Sequence, residues 1–89
     1  MTTKTWAVQV QLDEDGDDTR AVAVLTMENK TELRAQGWSR RNPRDDADAR
    51  IGDELATARA LSDLTHQLMG LAASDIESHT HEPVGSLQV

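Results

Sequence analysis

Cysteine, phenylalanine and tyrosine are absent from this chain, and only two tryptophans and two prolines occur among its 89 residues. Without cysteine, the chain has neither disulfide bonds nor thiolate metal ligands. Trp6 and Trp38 are its only aromatic residues, and eleven of its residues are alanines, which bury little surface each. A chain of this length buries only about 60% of the surface that its unfolded form exposes. We therefore expect a single domain over residues 1–89 with a thin core.

Basic residues and long apolar runs are also scarce. Sixteen acidic residues against nine basic ones give a net charge of −7, and a field of that sign repels nucleic acids and anionic membranes. No apolar run approaches the roughly 18 residues of a membrane span, and no secretory signal pattern opens the chain. We therefore expect a cytoplasmic protein that does not contact membranes.

The first 40 residues predict three antiparallel strands, at about 4–12, 19–27 and 32–40. In the first strand a polar face alternates with an apolar face, whose residues are Trp6, Val8, Val10 and Leu12. Asp15-Gly16 has the composition of a two-residue type I′ turn. That turn sets Leu12 opposite Thr19 and Trp6 opposite Leu25, which brings apolar residues together on one face.

The second and third strands are joined by a predicted turn at Glu28–Thr31. A loop of about five residues places Leu33 beside Met27. The other face of the sheet also carries apolar residues, with Trp38 expected next to Val22; they are Val22, Val24 and Trp38. An exposed patch of this kind marks a partner surface unless the C-terminal segment folds over it. Both arrangements bury the patch.

The second half of the chain predicts one long helix, at about 52–73. Its apolar residues recur at steps of three and four, and they are Leu55, Ala58, Leu61, Leu64, Leu68, Leu71 and Ala72. We expect the helix to pack on the sheet face that carries Trp6, Val8, Val10 and Leu25, with Leu61 and Leu64 buried. Asp53 and Glu54 are expected in the first turn, where carboxylates interact favourably with the helix dipole.

A separate short helix is predicted at about 75–81, because Ser74-Asp-Ile-Glu77 matches a capping box. Pro83 closes this helix, and residues 84–89 are expected to form a loose tail. The order of elements is therefore β-β-β-α with a small terminal helix. It predicts an α+β fold in which one long helix packs on one face of a three-stranded antiparallel meander.

Three segments of the chain resemble a family of small actinobacterial proteins of unknown function. They are Gly37-Trp-Ser-Arg-Arg-Asn-Pro43, Ile51-Gly-Asp-Glu-Leu55 with Ala58–Leu64, and Asp75-Ile-Glu77 with Thr80, His81 and Pro83. The resemblance covers most of the chain, and several mycobacterial members of that family are associated with dormancy. It implies a fold like that of double-stranded-RNA-binding domains without their first helix, and it supplies no catalytic or binding residues.

The sequence contains no arrangement suited to catalysis. The acidic run Asp13–Asp18 lacks the glycine and the bidentate glutamate of an EF-hand, because Asp18 and Val24 stand there. We interpret the run as a solvated hairpin turn. His79-x-His81 with Glu82 supplies too few ligands for a structural zinc site, and no nucleophile elbow or glycine-rich phosphate loop occurs. We predict that the chain is not an enzyme and has no cofactor and no metal site.

The arginine cluster is the strongest candidate for a nucleic-acid contact. Positions 34–50 hold five of the nine basic residues, and five arginines against three aspartates give this segment a net charge of +2. Trp38 stands among them and is available to stack on a base. The candidate phosphate contacts are Arg40, Arg41 and Arg44. The alternative is a solvated loop in which the arginines pair with nearby acids, namely Asp45, Asp46 and Asp48.

Isolated nucleic acid is nevertheless expected to bind weakly or not at all. In the RNA-binding relatives of the fold that the resemblance implies, a lysine-rich segment at the start of the last helix lies across phosphates. Here that position reads Ile51-Gly-Asp-Glu-Leu55, with two carboxylates and no lysine. These acids repel a phosphate backbone.

Two functions follow as hypotheses. The first is a non-enzymatic stress- or dormancy-associated protein that binds a macromolecule, with the ribosome as a candidate partner; it rests on the resemblance. The second is a dimeric protein-interaction or regulatory module without nucleic-acid contact, which the acidic composition and the Val22/Val24/Trp38 patch favour. A homodimer is expected because a three-stranded sheet has two open edges, and no proline within a strand protects them.

Overall fold

Three antiparallel strands and one long helix make up the computed structural model, which describes residues 1–42, 49–81 and 83–85. The elements are β1 (Ala7–Asp15), β2 (Asp18–Thr26), β3 (Glu32–Arg40) and α1 (Ala49–Thr80). The strands lie in the order β1-β2-β3. The helix packs on β2 and β3 and touches β1 at few residues. We call the covered side of the sheet the helix face and the other side the open face.

The hairpin between β1 and β2 turns at Gly16-Asp17, one residue later than predicted. Gly16 has φ +61° while Asp17 has negative φ, which is the pattern of a type II′ turn with glycine at its first central position. The predicted register was therefore wrong by two residues: Val8 lies opposite Leu25, and Val10 opposite Ala23. Because the shift is even, every apolar side chain stays on its predicted face.

The β2–β3 connection shows the same kind of shift. The last residue pair before the loop is Thr26 opposite Glu32. Within the loop, Lys30 has φ +67° and donates its N–H to Met27 O at 3.0 Å. Because the loop begins at Met27, Leu33 lies opposite Leu25 rather than beside Met27. Trp38 lies opposite Arg20 rather than Val22. The open-face position of Trp38 agrees with the sequence prediction.

Small residues form the contact between the helix and the sheet. The buried apolar residues of the described chain are Ala21, Ala23, Leu25, Ala35, Ala56, Ala60 and Leu64. Gly37 lies directly under the helix: a Cβ at this position would overlap the backbone N of Ala60 and the backbone O of Ala56. The backbones of α1 and β3 are thus as close as glycine and alanine permit.

This close contact changes which side of the helix is buried. Leu64 is 4% exposed, as predicted, but Leu61 is 39% exposed, so the prediction that both are buried was wrong for Leu61. Leu55 is exposed as well. Ala56, Ala60 and Leu64 recur every four residues and form the contact line. Leucine side chains at Ala56 or Ala60 would hold the helix away from Gly37.

The helix begins at Ala49, three residues before the predicted start. Asp53 and Glu54 therefore lie beyond the first turn, which contains no acidic residue. Gly52 falls within the helix because it packs beside the ends of β2 and β3. Ser39 Oγ donates a hydrogen bond to Gly52 O at 2.8 Å, and a Cβ on Gly52 would lie 3.1 Å from Thr19 Oγ1.

The predicted short helix at 75–81 was wrong, because α1 runs without a break to Thr80. The capping-box residues Ser74–Glu77 sit inside the helix, since the preceding Leu-Ala-Ala stretch favours helix and provides no stop. The helix ends where His81 takes φ +60° and its N–H donates to Glu77 O at 2.7 Å. The helix therefore ends with His81 in the left-handed αL conformation, and Pro83 follows two residues later. Residues 86–89 of the predicted tail lie outside the described chain.

The apolar side of β1 is only partly covered, because Val10 packs against the core while its neighbours do not. Val8 is 50% exposed, and Leu12 is exposed although it shares the helix face; Trp6, just before β1, is exposed as well. The helix packs on the face of the sheet that the sequence predicted, but it lies mainly over β2 and β3.

Substitution of the two leucines tests the helix orientation. Leu64→Ala removes a buried side chain and should lower the free energy of unfolding by about 2–5 kcal/mol. Leu61→Ala removes an exposed one and should lower it by roughly 0.5 kcal/mol or less. Urea denaturation followed by circular dichroism measures both. Equal losses for the two variants would show that the helix is turned differently.

Substitution of two glycines tests the close contact. Gly37→Ala places a methyl group against helix backbone atoms that cannot move aside, and it should destabilise the protein by at least about 1–3 kcal/mol. Gly70→Ala is the matched control, since a Cβ there meets nothing within 4 Å. It should stabilise the exposed helix position by roughly 0.5–1 kcal/mol. Thermal melts of both variants give the comparison, and a harmless Gly37→Ala would contradict the packing.

Candidate functional site

The arginine cluster meets the aspartates of the β1–β2 hairpin. Arg41 follows β3 and donates its backbone N–H to Asp17 O at 2.8 Å. Its guanidinium also reaches Asp17 Oδ1, with Nη2 at 2.6 Å and Nε at 3.1 Å. Arg41 is thus fixed to the turn by both its backbone and its side chain.

Two further arginines on the open face have aspartate partners. Arg40 Nε lies 3.6 Å from Asp18 Oδ1, and Arg20 Nη2 lies 3.3 Å from Asp13 Oδ2. Exposed pairs of this kind add only about 0–1 kcal/mol each to stability. Their consequence is electrostatic, because each carboxylate cancels a positive charge that a phosphate would need.

The structure therefore brings together only part of the predicted phosphate site. Arg40 and Arg41 are adjacent to the hairpin acids, which are not the partners that the sequence predicts for them. Arg44 and the predicted acidic partners Asp45, Asp46 and Asp48 lie outside the described residues. Arg34 is in the middle of β3 on the open face, opposite Val24, and its side chain has no ion-pair or hydrogen-bond partner among residues 1–42, 49–81 and 83–85.

The predicted interface residues lie together on the open face. Val22 and Val24 are half-buried at its centre, in a shallow depression that glutamines and Arg34 surround. Trp38 is 54% exposed and stands beside Arg20 and Arg40. The described end of the chain does not cover this patch, because residues 75–80 belong to the helix on the other face. Val84 N donates to Glu77 Oε1 at 2.9 Å, which places it beside that helix.

Helix side chains occupy the outer edge of β3, a feature that was not predicted from the sequence. Arg59 Nη1 donates to Trp38 O at 2.6 Å, and Asp63 Oδ2 accepts from Gln36 N at 3.3 Å. One turn further on, Gln67 Nε2 donates to Arg34 O at 2.7 Å. The sequence signal is a line of polar residues at steps of four, directly beside the Ala56/Ala60 line.

At the start of β1, Trp6 is tied to the β2–β3 loop. Its indole N–H donates a hydrogen bond to the Glu28 carboxylate, and Lys4 Nζ lies 3.9 Å from the same group. The pKa of Glu28 lies below its usual value because of a backbone hydrogen bond first and the Trp6 hydrogen bond second. This carboxylate is therefore charged at neutral pH and holds Trp6 at the edge of the sheet.

A shallow depression runs along the flank of α1 opposite the β3 edge. Its walls come from Asp53, Glu54, Thr57, Ala58 and Leu61. Asp53 Oδ1 is buried and has no hydrogen-bond partner among the residues that the structure describes. The depression is an apolar strip with an acidic end.

No group of three or more His, Asp or Glu side chains in the described part of the chain is placed to hold a metal ion. His79 and His81 lie at the C-terminal end of α1, and Glu82 lies outside the described residues. Over the same residues, no helix is both long enough and apolar enough to cross a membrane.

The fold and these surfaces define a small α+β protein, in which one long helix covers part of a three-stranded antiparallel sheet and leaves the other face open. The chain belongs to the Rv2632c-like family, whose model matches residues 4–85.

Its relatives include uncharacterized mycobacterial proteins. Uncharacterized protein Rv2632c of Mycobacterium tuberculosis is 46% identical over 84 residues, which cover 94% of this chain and 89% of that protein. Uncharacterized protein Mb1767 of Mycobacterium bovis is 45% identical over 78 residues, covering 88% and 82% respectively. The crystal structure of Rv2632c matches with a TM-score of 0.83 and 44% sequence identity, over 93% of this chain and 98% of that one.

Removal of the hairpin acids tests whether they mask the arginines. The double variant Asp17→Asn/Asp18→Asn frees Arg41 and Arg40, and its affinity for duplex RNA at low salt should rise by roughly tenfold over the unmodified protein. Glu14→Gln/Asp15→Asn is the matched control, because it makes the same change in net charge beside the same turn. Fluorescence anisotropy with labelled duplex RNA measures both. Equal gains would mean that net charge, and not the pairing, limits binding.

Proposed function

We propose that this chain is a non-enzymatic cytoplasmic protein that binds another protein through the open face of its sheet. The observation that carries the proposal is Trp38, a large aromatic side chain that is 54% exposed. The two arginines beside it on the open face, Arg20 and Arg40, already have carboxylate partners. Exposed aromatic residues with neutralised charge around them are typical of protein interfaces.

The charge distribution favours a protein partner over a nucleic acid. Nucleic-acid affinity depends on basic residues that neutralise phosphates, and Arg20, Arg40 and Arg41 each have an aspartate partner. The N-terminal part of α1 holds Asp53 and Glu54, two of the sixteen acidic residues that give the chain its net charge of −7. These acids work against a phosphate backbone at the helix end where RNA-binding relatives of the implied fold hold it.

We also propose that the protein is associated with stress or dormancy and that its partner is the ribosome. The β-β-β-α order supports a likeness to double-stranded-RNA-binding domains without their first helix, and the resemblance to dormancy-associated proteins points in the same direction. Contact with the ribosome would then be made to a ribosomal protein through Trp38. Such an apolar contact changes little with salt, whereas phosphate contacts weaken steeply.

Site-specific photo-crosslinking tests the class of partner. A photoreactive phenylalanine derivative in place of Trp38 should give protein adducts in stressed host cells, and these adducts should resist ribonuclease. The same derivative at Ser62, an exposed position of α1 away from the sheet, is the control and should not give them. Ribosome co-sedimentation across a salt series then separates ribosomal from other partners.

RNA-linked adducts at position 38 would contradict the proposal. So would submicromolar binding of the unmodified protein to duplex RNA at physiological salt that Arg41→Glu abolishes. A ribosome association that survives Trp38→Ala but falls steeply with salt would assign the contact to the arginine cluster instead.

A further inference from the structure

We propose that two copies of this chain join edge to edge through β1, which makes one six-stranded antiparallel sheet. The two edges of the sheet differ. At β3, Arg59, Asp63 and Gln67 occupy backbone groups that another strand would need. At β1, the described residues provide no such cover.

The pairing pattern shows which β1 groups are free. Residues of an antiparallel pair alternate between hydrogen-bonded and non-hydrogen-bonded positions. Because the backbone groups of Arg34, Gln36 and Trp38 point to α1, the odd-numbered residues of β3 bond to β2. The even-numbered residues of β2 therefore bond to odd-numbered residues of β1, as at Asp15 opposite Asp18. The outward N–H and C=O groups of β1 are those of Val8, Val10, Leu12 and Glu14, and these residues have no further partners among the described chain.

The outward row of β1 is complementary to itself. Its helix-face side chains Val8, Val10 and Leu12, together with Trp6 one residue before the strand, are symmetric about Gln9. Antiparallel pairing about Gln9 sets Trp6 of one copy against Leu12 of the other, and Val8 against Val10. Every helix-face pair from 6 to 12 is then apolar, with about eight backbone hydrogen bonds across the junction. A shift of the centre to Gln11 would set Val8 against Glu14.

Charge selects the same arrangement. If the pairing about Gln9 continues past the start of β1 at Ala7, Lys4, which lies 3.9 Å from Glu28 in the single chain, comes opposite Glu14 of the second copy, and opposite charges across a strand pair attract. The acidic hairpin turns, with Asp15, Asp17 and Asp18, fall at opposite ends of the six-stranded sheet. A parallel arrangement would place these turns side by side in a chain that already carries a net charge of −7.

The occupant is a second copy because the surface needs apolar cover and backbone partners together. Val8 is 50% exposed, and Trp6 and Leu12 are exposed beside it on the helix face. Edge strands of monomeric proteins are protected by prolines, inward charges or bulges, and Ala7–Asp15 pairs without interruption and contains no proline. A different protein could also add a strand to β1, and the experiment below distinguishes that case from a second copy of this chain.

The two-fold axis of such a pair is perpendicular to the sheet, so both helices lie on one side and both open faces on the other. The dimer therefore leaves Trp38 of each copy free and joins two open faces into one surface. Dimerisation and the proposed binding of a partner through Trp38 are separate properties, and either can fail without the other.

A single cysteine tests the junction, because the chain has no cysteine of its own. Gln9→Cys places two thiols at a non-hydrogen-bonded pair with Cα atoms about 4.5 Å apart, within the range of a disulfide. With oxidised glutathione, this variant should form a linked dimer roughly tenfold faster than Gln36→Cys, which sits on the occupied β3 edge. Light scattering of the unmodified protein should give a dimer at high micromolar concentration.

The variant Val8→Pro provides a second test, of whether backbone hydrogen bonds at β1 hold the dimer together. It removes only an outward N–H that β2 does not use, so edge strands tolerate proline at such a position. This variant should keep its circular dichroism spectrum but become monomeric, whereas Val8→Ala, which keeps the N–H, should remain a dimer. A monomeric unmodified protein would overturn the proposal and leave β1 open to another protein's strand. Faster linkage of Gln11→Cys than of Gln9→Cys, or a folded Val8→Pro dimer, would also overturn it.

Discussion

The contact between Gly37 and the Ala56/Ala60 line of α1 determines where every other surface of this protein lies. The overlap that a single Cβ at Gly37 would cause means that helix and strand backbones touch. Only alanine fits along the helix at this point, so the leucines on either side of the contact line are turned away from Gly37. The helix is thus held over β2 and β3, and β1 is covered only at Val10.

The same closeness explains why the two sheet edges differ. Arg59, Asp63 and Gln67 follow one another at steps of four, which is about 6 Å along a helix. Their backbone partners Trp38, Gln36 and Arg34 follow at steps of two, which is about 6.7 Å along an antiparallel strand. The two repeats match closely over this short distance, so one side of the helix completes the β3 edge with side-chain hydrogen bonds. A helix held further out by larger side chains would not reach it.

The sequence predicted which face of the sheet each strand residue occupies, but not which residue lies opposite it on the neighbouring strand. Alternation assigns each residue to a face, and moving a turn by one residue shifts the register by two, which leaves the faces unchanged. Face alternation therefore could not distinguish Asp15-Gly16 from Gly16-Asp17 as the turn. The helix orientation failed for a different reason, because hydrophobic periodicity gives leucine more weight than alanine. The sequence carries Gly37 but does not say that a helix lies on it.

The candidate site was also predictable only in part: its open-face residues were, and the partners of its arginines were not. The alternation places Val22, Val24 and Trp38 on one face without any structure, since it depends only on the period of a strand. The aspartates paired with Arg40 and Arg41 were out of reach, because the hairpin and the end of β3 are neighbours only once the three strands are in order. The acidic run Asp13–Asp18 and the arginine cluster looked like two separate features in the sequence. In the fold they partly neutralise one another.

The thin core and the exposed apolar residues of β1 both follow from the glycine and alanine residues at the helix–sheet contact. A helix–sheet contact built from glycine and alanine brings backbones together but buries few large side chains, and no large side chain in the described chain is fully buried. The larger apolar residues, Trp6, Val8 and Leu61 among them, are left on the surface beside the contact. A fold of this kind has its unused hydrophobic surface at β1, next to unpaired strand groups. Association there would add burial where the single chain has least, and it would leave the open face with Trp38 available for a different partner.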